Sequence, residues 1–275
     1  PALDFLEQKT GKPVLGVIPH MEHLGIDEED SVSLDEKHNT DSGAGDDQLR
    51  IAVVRTPKLS NFTDFDALAG EPDVALYYAD TPSALGHPDL ILLPGSKNTT
   101  EDLLYIRESG LEDAIRRCVA NGTPLFGICG GYQMLGRCVR DPFHTESSYD
   151  ETAGFGYLPL ETTFAAHKRL RQVTAACTDF PFLGVQLDGT QMPGYEIHMG
   201  ETHFIEPVGR PLRIVQAGGQ ETDVLDGAIS ADGLVMGTYI HGIFDEDTFR
   251  RGLLNRLRVR RGWAELSVQY HYRAE

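Results

Sequence analysis

One cysteine in this sequence stands where a nucleophile could be presented to a substrate. Cys129 follows an apolar run and lies in the segment 127–133, GICGGYQ, just before a helix predicted to begin near Gly130. The Gly-x-nucleophile-x-Gly spacing is typical of a nucleophile elbow, whose small residues let the chain turn sharply. The N–H of Gly130 and the helix dipole would then stabilise a thiolate and a developing oxyanion. The alternative interpretation is a buried cysteine before a glycine-rich turn.

Ten histidines are available as a general base for this cysteine. His241 is the best placed, because it ends the apolar run 233–240 and is followed directly by Gly242. A side chain at the end of a strand can reach over the edge of a sheet, where a cysteine on an elbow would also lie. A lone histidine is more commonly structural, so the pairing with Cys129 stays a hypothesis at this stage.

A third segment, 92–100 (LLPGSKNTT), leaves an apolar strand and enters a predicted helix. Asn98 or Thr99 would cap this helix, and the backbone N–H groups of Gly95 and Ser96 could form the second half of an oxyanion hole. The segment is not a Walker A phosphate loop, because G-x-x-x-x-G-K-[ST] occurs nowhere in the chain. On spacing alone it could also be a plain turn between a strand and a helix.

The elements that would carry these residues alternate between strand and helix. Apolar runs predict strands at 50–55, 74–78, 89–95 and 123–129, with further strands at 171–176, 194–205, 212–217 and 233–240. Helical periodicity covers 100–120, where Gly110 is expected to interrupt it, and a last helix is predicted at 246–258. Continuous apolar strands separated by helices predict an α/β fold with a mostly parallel central sheet flanked by helices.

The beginning of the chain has a different character. The run 13–19, PVLGVIP, resembles a buried strand, and a polar segment rich in Gly, Ser and Asp follows it. A single strand cannot form a core, so we interpret 1–38 as the end of a preceding domain. Residues 39–48 would be a linker, and 49–275 the main domain.

Charge and composition narrow the possible partners and the location. The formal net charge of -18 argues against nucleic acids and anionic membranes, which would be repelled. No apolar run approaches the roughly 20 residues of a transmembrane helix, so we expect a cytoplasmic protein. The four cysteines form no C-x-x-C pair, so we expect free thiols rather than a zinc or redox site: Cys118, Cys129, Cys138 and Cys177.

Four motifs in order carry a family resemblance: LPGSKNT at 93–99, GICGGYQ at 127–133, GYEIHMG at 194–200 and YIHGIF at 239–244. The second of them resembles the nucleophile motif of class I glutamine amidotransferases. Together they resemble the C-terminal half of the cobyric acid synthase family, from about residue 48 to the end. The segment 11–34 is similar to the end of that family's ATP-dependent synthetase domain. The resemblance implies a flavodoxin-like class I glutamine amidotransferase fold for 49–275.

The resemblance also implies a role for each motif. Cys129 would attack the side-chain carbonyl of glutamine, and His241 would carry a proton to the departing ammonia. The N–H groups of Gly95 or Ser96 and of Gly130 would hold the oxyanion. Gln133, one helical turn after the nucleophile, would contact bound glutamine.

One position departs from the wider class. Many class I glutaminases carry a glutamate two residues after the catalytic histidine, and here that residue is Ile243, which cannot accept a hydrogen bond. The cobyric acid synthase branch is similar in this respect, so we interpret the site as a Cys-His dyad, with Asp245 and Glu196 as weaker candidates for orienting His241. A loosely held imidazole predicts slow glutamine hydrolysis by this domain alone.

Glu196 and His198 fall on one face of the predicted strand 194–205. A metal site needs a third ligand, and the motif offers two, so we expect no metal site. The pair could line the glutamine pocket or the exit of ammonia, or it could be an ordinary polar strand face.

The resemblance implies glutamine as substrate and a synthetase domain with its corrin substrate as partners. It implies no cofactor in this domain, with ATP and Mg²⁺ confined to the synthetase domain. Other readings stay open: a sister amidotransferase (cobyrinic acid diamide synthase or a cell-wall amidating glutaminase), a peptidase-like or DJ-1-like cysteine hydrolase, and a non-catalytic docking domain.

Overall fold

The computed structural model describes residues 2–17, 45, 47–179, 181–185, 190–268 and 270–272; within 165–168 it describes the backbone alone. The strands are β1 (Leu49–Val54), β2 (Leu59–Ser60), β3 (Val74–Ala79), β4 (Leu90–Leu93), β5 (Gly95–Ser96), β6 (Leu125–Ile128), β7 (Cys138–Arg140), β8 (Glu151–Ala153), β9 (Leu160–Cys177), β10 (Gln191–Phe204), β11 (Leu212–Ala217), β12 (Gln220–Asp226), β13 (Ala228–Ile229), β14 (Val235–Thr238) and β15 (Ile240–His241). The helices are α1 (Ala2–Thr10), α2 (Asp66–Ala69), α3 (Pro82–Leu85), α4 (Thr99–Glu108), α5 (Leu111–Ala120), α6 (Gly130–Met134) and α7 (Asp247–Arg260), with 3-10 turns at Phe62–Phe65, Phe182–Gly184 and Ile243–Asp245.

The central sheet has the strand order β13-β14-β6-β4-β1-β3. Five of its strands are parallel and β13 pairs antiparallel at one edge. Counted along the chain, the parallel strands are arranged 2-1-3-4-5, which is the flavodoxin-like order. The predicted mostly parallel α/β sheet is confirmed.

The sheet is covered on both faces, which is why its strands read as continuous apolar runs. Alternation sends Leu92 and Phe126 to a core beneath α7, and Leu93 and Leu125 to a second core beneath α4 and α5. The helical stretch predicted at 100–120 is interrupted at Gly110 as expected, where φ is 78°.

A second sheet has the order β12-β11-β9-β10-β15, all antiparallel, and β7 and β8 extend it from β9. The strands predicted in the second half are present, but sequence reasoning did not show that those at 171–176, 194–205 and 212–217 belong to a separate sheet. This sheet is important for the site because β10 pairs with β15, which sets Tyr195 opposite His241.

The prediction of a strand at 13–19 is wrong for its described part. Residues 13–17 have no regular structure, and Leu15 and Val17 are 96% and 67% exposed. A strand needs a paired neighbour to satisfy its backbone, and no described strand pairs with this run. Residues 18–44 lie outside the described residues, so the domain limits at 38 and 48 stay predictions. Helix α1 was not predicted.

In the part of the chain that the structure describes, no helix is both long and apolar enough to cross a bilayer.

Candidate active site

Four connections meet at the carboxyl edge of the central sheet, the usual place for a site in an open α/β fold. The turn after β6 carries Cys129, and β5, directly after β4, carries Gly95. The 3-10 turn that follows β1 and β2 carries Asp64, and β15, directly after β14, carries His241. Because the parent strands are parallel neighbours, residues far apart in sequence are brought together here.

The turn at Cys129 is a strained elbow. Its φ and ψ are 52° and -107°, a conformation that a residue with a side chain rarely adopts and that costs about 1–3 kcal/mol. Two glycines make the turn possible, since an added Cβ would lie 2.7 Å from Gly131 O at Gly127 and 2.1 Å from Leu93 O at Gly131. Cys129 is 8% exposed, and its Sγ lies 3.3 Å from the carbonyl oxygen of Ile197. The thiol therefore contacts a polar backbone group.

Replacing Gly131 with alanine is expected to lower the free energy of unfolding by about 1–3 kcal/mol, because the methyl group would meet the backbone of β4. Urea denaturation measures the change. Gly16→Ala is the matched control, because a Cβ there has no atom within 4 Å; it should change stability by less than about 0.5 kcal/mol. A Gly131→Ala protein as stable as wild type would contradict the close packing of the elbow on β4.

His241 is held by a residue that sequence reasoning missed. The carboxylate of Asp64 accepts from Nδ1 of His241 at 2.7 Å with one oxygen, and from the backbone N–H of Gly242 at 2.9 Å with the other. The ring of Tyr195 stacks on the imidazole with centroids 4.9 Å apart. The hydrogen-bonded pair is buried, with His241 0% and Asp64 3% exposed, and Tyr195 is half-buried.

The interpretation as a Cys-His dyad is therefore wrong. Asp64 makes the hydrogen bond to the imidazole that Ile243 cannot make, while Glu196 pairs with Arg171. Ile243 is buried in the apolar core, so its side chain is a packing residue. The argument for slow hydrolysis from a loosely held imidazole no longer applies.

The electrostatics favour a protonated imidazole. Burial alone would lower the pKa of His241, but the Asp64 carboxylate and the Cys129 side chain outweigh it and raise the pKa above its usual value. Nε2 makes no well-aligned hydrogen bond to the described residues, although Cys129 lies close enough to interact with the ring. Such contacts are often loose before substrate binds. An imidazolium beside the sulfur would stabilise a thiolate.

The β5 segment lies against both catalytic candidates. An added Cβ at Gly95 would lie 3.4 Å from Cε1 of His241, and one at Gly130 would lie 2.8 Å from the backbone nitrogen of Ser96. The structure thus brings together Gly95, Ser96 and Gly130, the groups predicted to form the oxyanion hole. That these N–H groups bind an oxyanion stays a prediction.

Asp102 fixes the β5 segment from inside the protein. Its buried carboxylate accepts hydrogen bonds from Ser96 Oγ at 2.6 Å, from Thr56 Oγ1 at 2.7 Å and from the N–H of Lys58 at 3.0 Å. The Ser96 hydroxyl is therefore engaged in structure.

Gln133 links three parts of the site. Its amide nitrogen donates to Met199 O at 3.0 Å and to the Tyr239 hydroxyl at 3.3 Å, and its oxygen accepts from Thr99 Oγ1 at 3.0 Å. Both ends of the Gln133 amide thus already form hydrogen bonds within the protein. A contact between Gln133 and bound glutamine stays a prediction.

Glu196 and His198 line a polar cavity of about 280 Å³ beside Tyr239. The ring of His198 stacks on Tyr239 with centroids 3.8 Å apart, and burial lowers the pKa of His198 to about 4. Among the described residues, no group of three or more His, Cys, Asp and Glu side chains could hold a metal ion. The four cysteines are free.

Fold and site together define an α/β enzyme domain that presents Cys129 on a sharp elbow beside the hydrogen-bonded pair of His241 and Asp64. Residues 50–249 match the CobB/CobQ-like glutamine amidotransferase domain. The chain belongs to this family, which confirms the glutamine amidotransferase predicted from the four motifs.

The curated relatives carry the name cobyric acid synthase. That of Moorella thermoacetica is 48% identical over 277 residues, which is 100% of this chain and 53% of the relative. That of Pelotomaculum thermopropionicum is 49% identical over 269 residues, which is 98% of this chain and 50% of the relative. The chain thus spans about half the length of these relatives.

A solved structure shares the fold. A chain of PurLQS from Thermotoga maritima superposes with a TM-score of 0.57 at 20% identity, covering 76% of this chain and 99% of that chain.

Proposed function

We propose that this chain hydrolyses the side-chain amide of glutamine through a thioester on Cys129 and supplies the ammonia for an amidation reaction. The observation that carries the proposal is the buried arrangement of Cys129, His241 and Asp64 at the carboxyl edge of the sheet. The 48–49% identity to cobyric acid synthases supports glutamine as the nitrogen source.

The proposed reaction has two halves, the formation of a thioester and its hydrolysis. The Cys129 proton moves to His241, and the thiolate attacks the amide carbon to give a tetrahedral oxyanion. The N–H groups of Gly130 and of Gly95 or Ser96 stabilise that charge. His241 then gives its proton to the amide nitrogen, the C–N bond breaks, ammonia leaves and a thioester remains. Water attacks the thioester while His241 takes its proton. The C–S bond then breaks, His241 returns the proton to the Cys129 sulfur, and the product leaves as glutamic acid, which ionises to glutamate.

Asp64 has a fixed role in this cycle. By accepting from Nδ1, it directs Nε2 toward the sulfur and stabilises the imidazolium that forms in each half of the reaction. This triad also argues against a non-catalytic docking domain, since such a domain has no need of a buried His-Asp pair.

We infer that the ammonia is used to amidate carboxylates of a corrin in cobalamin biosynthesis. The name of the relatives supports this acceptor over those of the sister amidotransferases. The ligation, with its ATP and Mg²⁺, would belong to the half of the relatives that this chain does not match, and the two halves together would act as a carbon-nitrogen ligase. Four free cysteines suit the reducing cytoplasm, where the nucleophile stays a thiol.

The direct test is glutamate release from glutamine, combined with labelling by the glutamine analogue diazo-oxo-norleucine. We expect glutamate to form and the label to reach Cys129 alone, with excess glutamine protecting it. The other three cysteines are internal controls, because burial raises the pKa of each thiol and leaves it unreactive. Labelling elsewhere, or cleavage of peptides and esters but not of glutamine, would favour a cysteine hydrolase of another class.

A further inference from the structure

The connection between β7 and β8, residues 141–150, is folded by one buried carboxylate. Asp141 is 1% exposed and accepts hydrogen bonds from the backbone N–H groups of Thr145, Glu146 and Ser147 at 2.7–2.8 Å. Three bonds to one carboxylate give this 141–150 loop a defined shape, although most of its residues are exposed. The catalytic steps above make no use of it.

Glu146 is the residue through which the loop reaches the active site. Its carboxylate accepts from the backbone N–H of Thr99 at 3.1 Å, and its carbonyl oxygen accepts from Asn98 Nδ2 at 2.7 Å. Thr99 is the first residue of α4, and Asn98 caps that helix by accepting from the N–H of Glu101 at 2.9 Å. Glu146 therefore clamps the beginning of α4 from outside.

The clamped residues connect directly to the site. The N–H of Asn98 donates to Ser96 Oγ at 3.0 Å, and the Thr99 hydroxyl donates to the Gln133 oxygen at 3.0 Å. Asp102 holds the same segment from the interior. The position of Ser96 is thus fixed on one side by Asp102 and on the other by Glu146.

Burial of the Glu146 carboxylate disfavours its charged form. Burial raises the pKa of Glu146 to about 7; the Thr99 N–H opposes this, and the nearby carboxylates of Asp141 and Asp102 add to it. The positive end of the α4 dipole and the hydrogen bond from the Thr99 N–H offset part of the cost of burying this carboxylate. Because burying this carboxylate costs solvation free energy, its position indicates that Glu146 has a structural role.

We propose that Glu146 is a positioning residue for glutamine hydrolysis: its two hydrogen bonds to Asn98 and Thr99 hold the Gly95–Ser96 segment in the geometry that stabilises the oxyanion. This inference rests on the proposed function. Loss of the clamp should leave Cys129, His241 and Asp64 in place, because their hydrogen bonds and ring contacts among the described residues lie outside the 141–150 loop.

The test compares Glu146→Ala, which removes the carboxylate that accepts from the Thr99 N–H, with Glu146→Gln, which keeps an oxygen for that N–H. Both variants keep the backbone carbonyl that accepts from Asn98. We expect Glu146→Ala to lower kcat for glutamine hydrolysis about tenfold with KM within about twofold, because the interaction acts on the transition state. Glu146→Gln should recover kcat to within about threefold of wild type. Alkylation of Cys129 by iodoacetamide, which forms no oxyanion, should proceed at the wild-type rate in both.

A second variant removes the other hydrogen bond of the clamp, so that the test does not depend on the correct folding of Glu146→Ala alone. Asn98→Asp keeps the cap on Glu101 but sets a carboxylate oxygen against the Glu146 carbonyl, so it should lower kcat like Glu146→Ala. Asp150→Ala is the matched control, since Asp150 lies on the same loop with an 85% exposed side chain and should leave kcat unchanged. The inference is overturned if wild type hydrolyses glutamine and both Glu146→Ala and Asn98→Asp keep wild-type kcat, or if iodoacetamide labelling slows in parallel with kcat. Absence of hydrolysis by wild type would instead count against the proposed function.

Discussion

Replacing Cys129 with serine is expected to abolish glutamine hydrolysis, with kcat lower by on the order of 10⁴ to 10⁶. A hydroxyl is far less acidic than a thiol, so the imidazolium of His241 could not hold it as an anion. The two side chains are similar in size, and the elbow depends on its glycines, so the fold should be retained. Release of glutamate measures activity, and urea denaturation measures stability.

Cys118→Ser is the matched control for this change. Cys118 is half-buried on α5, and its Sγ lies 3.8 Å from the carbonyl oxygen of Gly86, away from the catalytic edge. We expect its kcat to stay within about twofold of wild type. If Cys129→Ser kept more than about a hundredth of wild-type activity, the thioester pathway would be untenable.

The local features of the site were predictable because their causes are local. A sharp turn that places a side chain at positive φ requires glycine wherever two backbones approach closely. The five residues GICGG have glycines at these positions. The parallel strands were also predictable, because β4 and β6 are buried at every position and read as uninterrupted apolar runs. Their shared carboxyl edge then follows from the alternation of strand and helix.

The pairing of strands that are distant in the sequence was harder to predict. Apolar runs predicted strands near 194–205 and 233–240, but alternation does not show which strands pair or in which sheet. The strand predicted at 233–240 is interrupted between β14 and β15. Ile240 and His241 therefore leave the parallel sheet and pair with β10 in the other sheet. This change of sheet brings the Tyr195 ring against the imidazole of His241.

Asp64 was missed because nothing near it in sequence identifies a partner. It lies 177 residues from His241, in the short stretch NFTDFD, which has no strand or helix periodicity. A usable signal was present: an acidic residue between two aromatic residues, in the connection that follows the first parallel strand and so returns from the catalytic edge. Phe62 and Phe65 are buried on either side and anchor the turn that aims Asp64 inward.

Asp64→Asn is expected to lower kcat for glutamine hydrolysis by about 10² to 10⁴ without unfolding the protein. The carboxylate accepts two hydrogen bonds, one from His241 Nδ1 and one from the N–H of Gly242. An amide has one acceptor oxygen, so its NH₂ must face one of these donors. Either the imidazole takes the wrong tautomer or Gly242 loses its partner, and in both cases the charge that stabilises the imidazolium is gone. Asp66→Asn, two residues along the chain, is the control and should stay within about threefold of wild type.

The pH dependence of stability distinguishes a charge interaction between Asp64 and His241 from simple packing of the two side chains. The pKa of His241 is raised in the folded protein, against the burial that would lower it, mainly by Asp64 and also by Cys129. Its contribution to the free energy of unfolding is therefore complete below the ordinary imidazole pKa of about 6.5 and is lost as the pH rises through the raised value. Asp64→Asn should thus destabilise the protein most near pH 6 and progressively less toward alkaline pH, as urea denaturation can follow. A destabilisation that is the same at every pH, with kcat retained, would mean that Asp64 only packs beside His241 and that another group orients the base.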